Sequence, residues 1–477
     1  MRKILLGSTA LVAAGLAAGS ASAQTSEPIK MRISGYYIAA AGYILNQSDS
    51  AGTFAGSGAA SVAAFNSNVA QSIPASIGVP AGPGIAGANR QLANDAGFGR
   101  RQENFKQDTE VHFLGETKLD NGLIVGVHFE FEGQTQQNAQ CTAIPCAATG
   151  DNVDETWMYF KGNWGELRFG DEDDVRRLKT YTAPTVGGNI FGLNEPFIQF
   201  SNNPIGSLTT QAQIDNDSTK VLYFTPSIAG FQAAFSYAPS GTQDRRNNSF
   251  GGAGTNASST QLTAGETAFN AINQPCPGAG SGTRGCVDEA WSAAFTYDAK
   301  FGDFTVGVGG GYSTGAVNST LAGFTKNVEA IGASTLIGFG PFQVGGGVLK
   351  GKNFQGNGED ANVANLGIKY TIGPFEVALE GMYGEFDQPS DGSNPGTTTA
   401  SRAHPAMTQG LLSVGYNLGP GIWIAAGLYQ DHYGRGGMTA GAVRAYTMTG
   451  SGYTSSSLNG ARNYDSTSIM VGTRVNF

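Results

Sequence analysis

Four histidines, four cysteines and one run of carboxylates are the groups in this 477-residue chain whose types and spacing bear on chemistry. His112, His128, His404 and His432 form no H-E-x-x-H pattern, and the many serines include no G-x-S-x-G elbow. The glycine-rich runs 307–312 and 345–351 lack the G-K-[ST] ending of a phosphate-binding loop. They lie within strand patterns, where glycine marks a bend or a close approach in a curved wall. Asp171-Glu172-Asp173-Asp174 offers clustered hard oxygens that suit calcium, the alternative being a solvated acidic run. No other cofactor is expected, no metal ligand set is assigned, and nothing speaks for catalysis.

The cysteines fall into two close pairs, Cys141 with Cys146 and Cys276 with Cys286, each inside a polar Gly/Ala/Pro-rich segment. Neither pair has a histidine at metal-ligand spacing. In an exported chain such pairs read as two local disulfides, 141–146 and 276–286, stapling two loops. Export itself is written at the start. Arg2 and Lys3 precede an apolar run from Ile4 to about Gly19, and Ala21-Ser22-Ala23 is an A-x-A cleavage site. The apolar run is shorter than the ~20 residues a helical span needs, which disfavours an uncleaved anchor. Residues 1–23 are therefore expected to be a removed signal peptide and 24–477 a single domain.

Composition narrows the class. Charged residues are only 14% of the chain, aromatics reach 10%, and 71 residues are glycine, about twice the usual share. Such aromatic content argues against disorder, and no later stretch is long and apolar enough for a transmembrane helix. Without Arg2 and Lys3, 26 basic residues face 37 acidic ones, a formal charge of −11. That excess argues against a nucleic-acid partner.

The elements that must carry these residues are strands. Beyond residue 28, segments of 8–16 residues alternate apolar and polar. Thr467, Ile469, Val471, Thr473, Val475 and Phe477 share one face of the last segment, while Met470, Gly472, Arg474 and Asn476 share the other. Seven short turns rich in Gly, Asn, Asp and Pro alternate with eight long polar stretches, giving 16 strands. They fall at about 29–45, 104–119, 123–135, 153–162, 165–172, 219–226, 230–239, 288–299, 302–314, 326–338, 341–351, 362–372, 374–386, 405–418, 421–433 and 463–477. Short turns on one rim and long loops on the other are the arrangement of outer-membrane barrels.

Parity fixes one register. Directly paired residues point to the same side of a sheet, so a three-residue turn pairing Leu119 with Leu123 is required, with Gly122 in the left-handed position. His112 then faces Glu130, as an ordinary wall contact rather than a switch, and Glu110 faces Glu132. Tyr37, Trp157, Tyr159, Phe169, Phe375, Tyr383, Trp423 and Phe477 are candidates for the lipid-facing side or its girdles. Lys30, Arg32, His112, Lys118, Glu130, Glu132, Arg168, Lys369, Glu376, Glu380 and Arg474 fall on the inward face. So many charges are too costly to bury dry, and 16–18 strands leave an aqueous channel. The expected fold class is all-β: a 16-stranded antiparallel transmembrane β-barrel with a wet interior, which is a pore.

Two longer stretches carry a family resemblance. Residues 154–171 (DETWMYFKGNWGELRFGD) look like the strand–turn–strand leading into the third loop of general bacterial porins, and 219–237 (TKVLYFTPSIAGFQAAFSY) resembles the hairpin after that loop. The end in Val475-Asn476-Phe477 is similar to the terminal-Phe signal read by the outer-membrane assembly machinery. The whole chain resembles a Gram-negative outer-membrane porin of alphaproteobacterial type. The resemblance implies a homotrimer in outer-membrane lipid and lipopolysaccharide, and a third loop, here about 173–218, folded into the barrel. Acidic residues of that loop would face a basic wall cluster. Asp173, Asp174, Glu195, Asp215 and Asp217 supply the acids, and Arg32 and Arg168, then Lys30, Lys118 and Arg474, the bases. Gly187–Gly192 (GGNIFG) stands where enterobacterial members have Pro-Glu-Phe-Gly-Gly.

The expected activity is passive diffusion of small hydrophilic solutes and ions, with a modest cation preference from the −11 balance. A substrate-selective porin is the alternative, requiring a binding track hidden in the long loops. A barrel-borne adhesin or enzyme fits less well, because the first loop (46–103) is a featureless Gly/Ser/Ala-rich segment.

Overall fold

The computed structural model describes residues 28–49, 103–133, 153–194, 200, 209–215, 218–240, 286–318, 327–353, 360–389, 401–434, 436–437, 443–449, 452–458 and 463–477. The expected export signal (1–23), Glu195, Asp217, Cys141, Cys146 and Cys276 lie outside these residues, as does the side chain of Cys286.

The strands are β1 (Lys30–Asp49), β2 (Glu103–Lys118), β3 (Ile124–Glu132), β4 (Val153–Gly162), β5 (Gly165–Glu172), β6 (Ser218–Phe224), β7 (Phe231–Ser240), β8 (Cys286–Phe301), β9 (Phe304–Asn318) and β10 (Val328–Phe339). They continue as β11 (Phe342–Lys352), β12 (Asp360–Ile372), β13 (Phe375–Pro389), the two-residue β14 (Arg402–Ala403), β15 (Ala406–Gly419), β16 (Ile422–Gly434), β17 (Val443–Thr449), β18 (Gly452–Leu458) and β19 (Tyr464–Asn476). Among the described residues a short helix, α1 (Val175–Leu178), follows β5. Each strand from β1 to β13 pairs antiparallel with the next, β13 pairs with β15, and β16 pairs with β19. Closure comes from β1, which pairs with both β2 and β19. Leaving β14, β17 and β18 aside, 16 strands form the closed wall. Closure removes the edges of the wall and so satisfies its backbone in lipid. Phe477 takes part, exchanging two backbone hydrogen bonds with Gly35, at 3.0 and 3.1 Å.

The β2–β3 turn has the register that parity requires. Leu119 N–H donates to the Leu123 carbonyl at 2.8 Å, and Gly122 sits at φ +83°. His112 lies opposite Glu130 and Glu110 opposite Glu132. The β17–β18 hairpin was not among the 16 segments; it forms inside the long stretch after β16, where Tyr446, Thr447, Tyr453 and Thr454 favour strand.

Alternation assigns the faces. Met31, Ile33, Leu366, Ile368, Leu379, Ile469 and Val471 are exposed on the outside. Aromatic pairs between neighbouring strands at the short-turn rim, Phe304–Phe339 at 4.3 Å, Phe342–Tyr370 at 4.8 Å and Phe375–Tyr416 at 4.7 Å between centroids, form an outer girdle there. Tyr37, Phe169, Tyr383 and Phe477 are outward and exposed. Trp157, Tyr159 and Trp423 are not. Trp157 pairs with inward His128, Tyr159 with inward Arg168, and Trp423 with inward Arg474. Each shares its strand face with polar or charged partners: the Trp157 ring lies under the Arg168 guanidinium, the Tyr159 hydroxyl donates to Glu116, and Trp423 packs against the apolar core inside the wall.

Candidate functional site

The described part of the segment between β5 and β6 is bound to the inner wall. Its root is acidic, and each described carboxylate there has a partner. Asp174 caps α1, its Oδ1 accepting from Arg177 N–H at 2.7 Å, and Oδ2 accepts from the Ser313 hydroxyl of β9 at 3.2 Å. Asp173 pairs with Arg177 at 3.0 Å, and Asp215 with Lys220 of β6 at 3.5 Å. Arg176 donates to Ser313 Oγ at 3.0 Å and to the Ala212 carbonyl, tying the outgoing and returning arms together. Asp174 and Asp215 are 0% and 1% exposed. These carboxylates therefore fix the root of the segment to the wall and do not front the lumen. The four carboxylates of the acidic run are engaged separately: Asp171 by the Thr219 hydroxyl, Glu172 by Arg168 at 2.6 Å, and the other two as above.

Beyond α1 the chain runs across β10 to β19 on polar anchors. Tyr181 N–H donates to Ser334 of β10 at 2.8 Å, and Ala183 N–H to Asn365 of β12 at 3.0 Å. Two carboxylates of β13 take the next amides: Glu376 accepts from Gly187 at 2.8 Å, Glu380 from Leu193 at 3.2 Å. Burial pushes the Asp215 carboxyl up to about 7, with Lys220 opposing the shift. The apolar core lies between this segment and the wall: Val186, Ile190, Phe191, Leu193 and Phe200 pack with Ile38, Ala378, Met382, Leu411, Tyr429 and Met470.

The inner wall is glycine-paved where the segment crosses. A Cβ on Gly309 would lie 2.2 Å from the Lys179 carbonyl oxygen, and one on Gly367 would meet Ala183 at 2.8 Å. The glycine runs of β9 and β11 thus permit close approach by this segment's backbone. Gly187, Gly188 and Asn189 all take positive φ, +61°, +63° and +74°, so the GGN sequence supplies a left-handed turn most residues resist.

Opposite these anchors in the barrel order lies the arc β1–β5, whose inward face is charged. Lys30 and Arg32 are exposed near the short-turn rim, Lys30 in register with Glu116 and Arg32 with Leu114. Further along sit Asp108, Glu110, Glu130, Glu132 and Asp154, with Lys106 among them. Arg168 is locked. It donates to Glu166 and Glu172, both at 2.6 Å, and its guanidinium lies 4.2 Å from the Trp157 ring and 4.7 Å from the Phe224 ring. Arg474 lies over the Tyr36 ring at 4.0 Å. Of the expected basic set, Arg32, Lys30 and Arg474 keep inward, accessible positions, while Arg168 is neutralised by its partners. The anchoring residues Ser313, Ser334, Asn365, Glu376 and Glu380 form the part that sequence reasoning did not assign to the segment. Their signal was present: small or polar residues at inward parity beside glycines.

A closed 16-stranded barrel, apolar outside and charged within, with a chain segment laid along its inner wall, defines a transmembrane channel. The chain belongs to the Gram-negative porin family, whose model matches residues 7–436. It is an outer-membrane porin by that membership. Among solved structures it is similar to an anion-selective porin from Comamonas acidovorans (16% identity, TM-score 0.49, covering 94% of this chain and 100% of that one). It is also similar to the outer-membrane channel DcaP of Acinetobacter baumannii (12% identity, TM-score 0.50, covering 94% and 97%). A third is OmpT of Vibrio cholerae in trimer form (10% identity, TM-score 0.47, covering 94% and 100%). No curated protein sequence matches the chain.

Proposed function

We propose that this porin is a general diffusion channel with a modest preference for cations, and not a substrate-selective one. The carrying observation is the group of inward carboxylates Asp108, Glu110, Glu130, Glu132 and Asp154 on β2–β4, opposite the anchored segment, with Lys106 on the same face and His112 set between Glu110 and Glu130. A few charges at a confined passage outweigh the total charge of the protein, and here both carry the same sign. Solutes pass down their gradients and are sieved between the 173–218 segment and the β1–β5 arc. Arg32, Lys30 and Arg474 supply the basic side of the constriction field, and Asp173, Asp174 and Asp215 serve it by holding the segment in place. Glu195 belongs to the same segment. Transport needs no resident cofactor.

Around this channel we place the remaining features that the sequence and its resemblance suggest: removal of residues 1–23 after export, disulfides Cys141–Cys146 and Cys276–Cys286, insertion guided by Phe477, and a homotrimer among outer-membrane lipid and lipopolysaccharide. Liposome swelling with neutral sugars of increasing mass tests the transport reading. Rates are expected to fall steeply and smoothly with solute size. Admission of one sugar and refusal of others of equal size would instead establish a selective channel.

A further inference from the structure

We propose that His112, His128 and Glu130 form an inner-wall site for a divalent transition-metal ion of the zinc class, with Glu110 as its outer support. His112 of β2 faces Glu130 of β3 directly, and His128 lies two residues before Glu130 on the same inward face. His112 Nδ1 is 3.2 Å from His128 Nε2 and 3.2 Å from Glu130 Oε2. All three ligand atoms lie within 4.8 Å of one another. Four-coordinate zinc holds nitrogen at ~2.0–2.1 Å, so adjacent ligand atoms of a tetrahedral site are about 3.3 Å apart. Two of the three separations already have that value. Among the described residues this is the one group of three or more such side chains that converges.

Without a metal, His112 sits between two carboxylates, its Nδ1 3.2 Å from Glu130 and its Nε2 3.2 Å from Glu110. Two ring nitrogens face each other, and one proton at most can lie between them. The remaining nitrogen of His128, Nδ1, is buried and has no hydrogen-bond partner. An ion at the convergence point would accept three lone pairs at once, from Nδ1 of His112, Nε2 of His128 and Oε2 of Glu130. Imidazole and carboxylate together suit zinc, copper and nickel. The outer support is also in place. Glu110 Oε2 lies 3.2 Å from His112 Nε2, the contact that orients a metal-bound imidazole, and Glu110 in turn accepts from the Tyr36 hydroxyl at 2.5 Å. His128 is held by stacking on His112, centroids 5.4 Å apart and planes at 17°, and by Trp157 at 4.8 Å. The side chains of His112 and Glu110 keep 24% and 21% of their surface open, so an ion in the lumen reaches the site, and water completes its coordination. Bound there, the ion places a double positive charge among the wall carboxylates.

The test uses untagged, folded full-length protein in detergent, titrated calorimetrically with zinc chloride. Heat-modified mobility on gels checks the folding of every variant. The wild type is expected to bind one equivalent per chain, with binding lost in His112→Ala and in His128→Ala. Glu110→Gln is expected to weaken it by about 10–100-fold, while a His404→Ala/His432→Ala variant keeps it. In bilayers, zinc is expected to move the reversal potential toward anions in the wild type and not in His128→Ala, and EDTA to restore it. Folded, conducting wild-type protein that takes up no zinc overturns the site while leaving the porin reading intact. Equal zinc uptake by the His112→Ala/His128→Ala double variant also overturns it.

Discussion

The carboxylate of Glu376 on β13 accepts the backbone N–H of Gly187 at 2.8 Å, clamping the segment after β5 to the opposite wall. Lys369 of β12 lies 3.3 Å from the same carboxylate, so the clamp is a charge-assisted one. Glu380 repeats it at Leu193. Removing both acceptors leaves two inward amides unpaired, at about 1–3 kcal/mol each when buried. The Glu376→Ala/Glu380→Ala variant is expected to fold and to give a larger, noisier single-channel current. An unchanged current trace would show that these contacts do not set the passage.

Glycine in the wall gives a sharper test. Gly309→Ala puts a methyl group 2.2 Å from a backbone oxygen, whereas a Cβ on Gly410, on the outer face of β15, meets nothing within 4 Å. Overpacking of this kind costs about 1–3 kcal/mol. Gly309→Ala is expected to lower the temperature at which the barrel loses its heat-modifiable mobility, and Gly410→Ala to leave it unchanged. Equal transitions for the two would refute close packing of the segment at β9.

Much of this was legible from residue order. Parity alone required Leu119 opposite Leu123, and the 16 strand segments needed only alternation and turn chemistry. The errors share one cause, which is that alternation sorts faces but does not name the occupant of the lumen. Trp157 and Tyr159 share a face with Lys161, a usable sign that they point inward, yet aromatic character suggested lipid. Asp173, Asp174 and Asp215 are acidic loop residues, and their neighbours Arg177, Arg176 and Lys220 hint at local pairing. That they are consumed at the root depends on contacts 40 to 140 positions apart, such as Asp174 with Ser313. The His112–His128 approach follows from the same register, which sets His128 diagonal to His112, but alternation does not show how close the two rings come.

The buried root has a pH signature. Burial holds the Asp215 carboxyl at about 7, above the ~3.9 of an unfolded aspartate. The folded state therefore binds this proton more tightly than the unfolded one, and its stabilising effect is full below about pH 4. It is lost as pH rises through 7. Thermal stability in detergent is expected to fall from pH 4 to 7 more steeply for the wild type than for Asp215→Asn. Parallel profiles would remove Asp215 from the account.

Selectivity should follow the β2–β4 carboxylates. Replacing Glu110, Glu132 and Asp154 together by Gln, Gln and Asn is expected to move the reversal potential in a potassium chloride gradient toward anions. Replacing Asp173, which is paired at the root, is expected to move it much less. The opposite order would place the controlling charges on the segment and not on the wall.

The central claim is that a continuous column of water crosses this barrel, and single-channel conductance against electrolyte conductivity measures it most directly. Purified protein in a planar bilayer is expected to give stepwise openings whose conductance rises in proportion to that of the bulk salt solution. Folded barrels that pass no current at any voltage or salt concentration would contradict it.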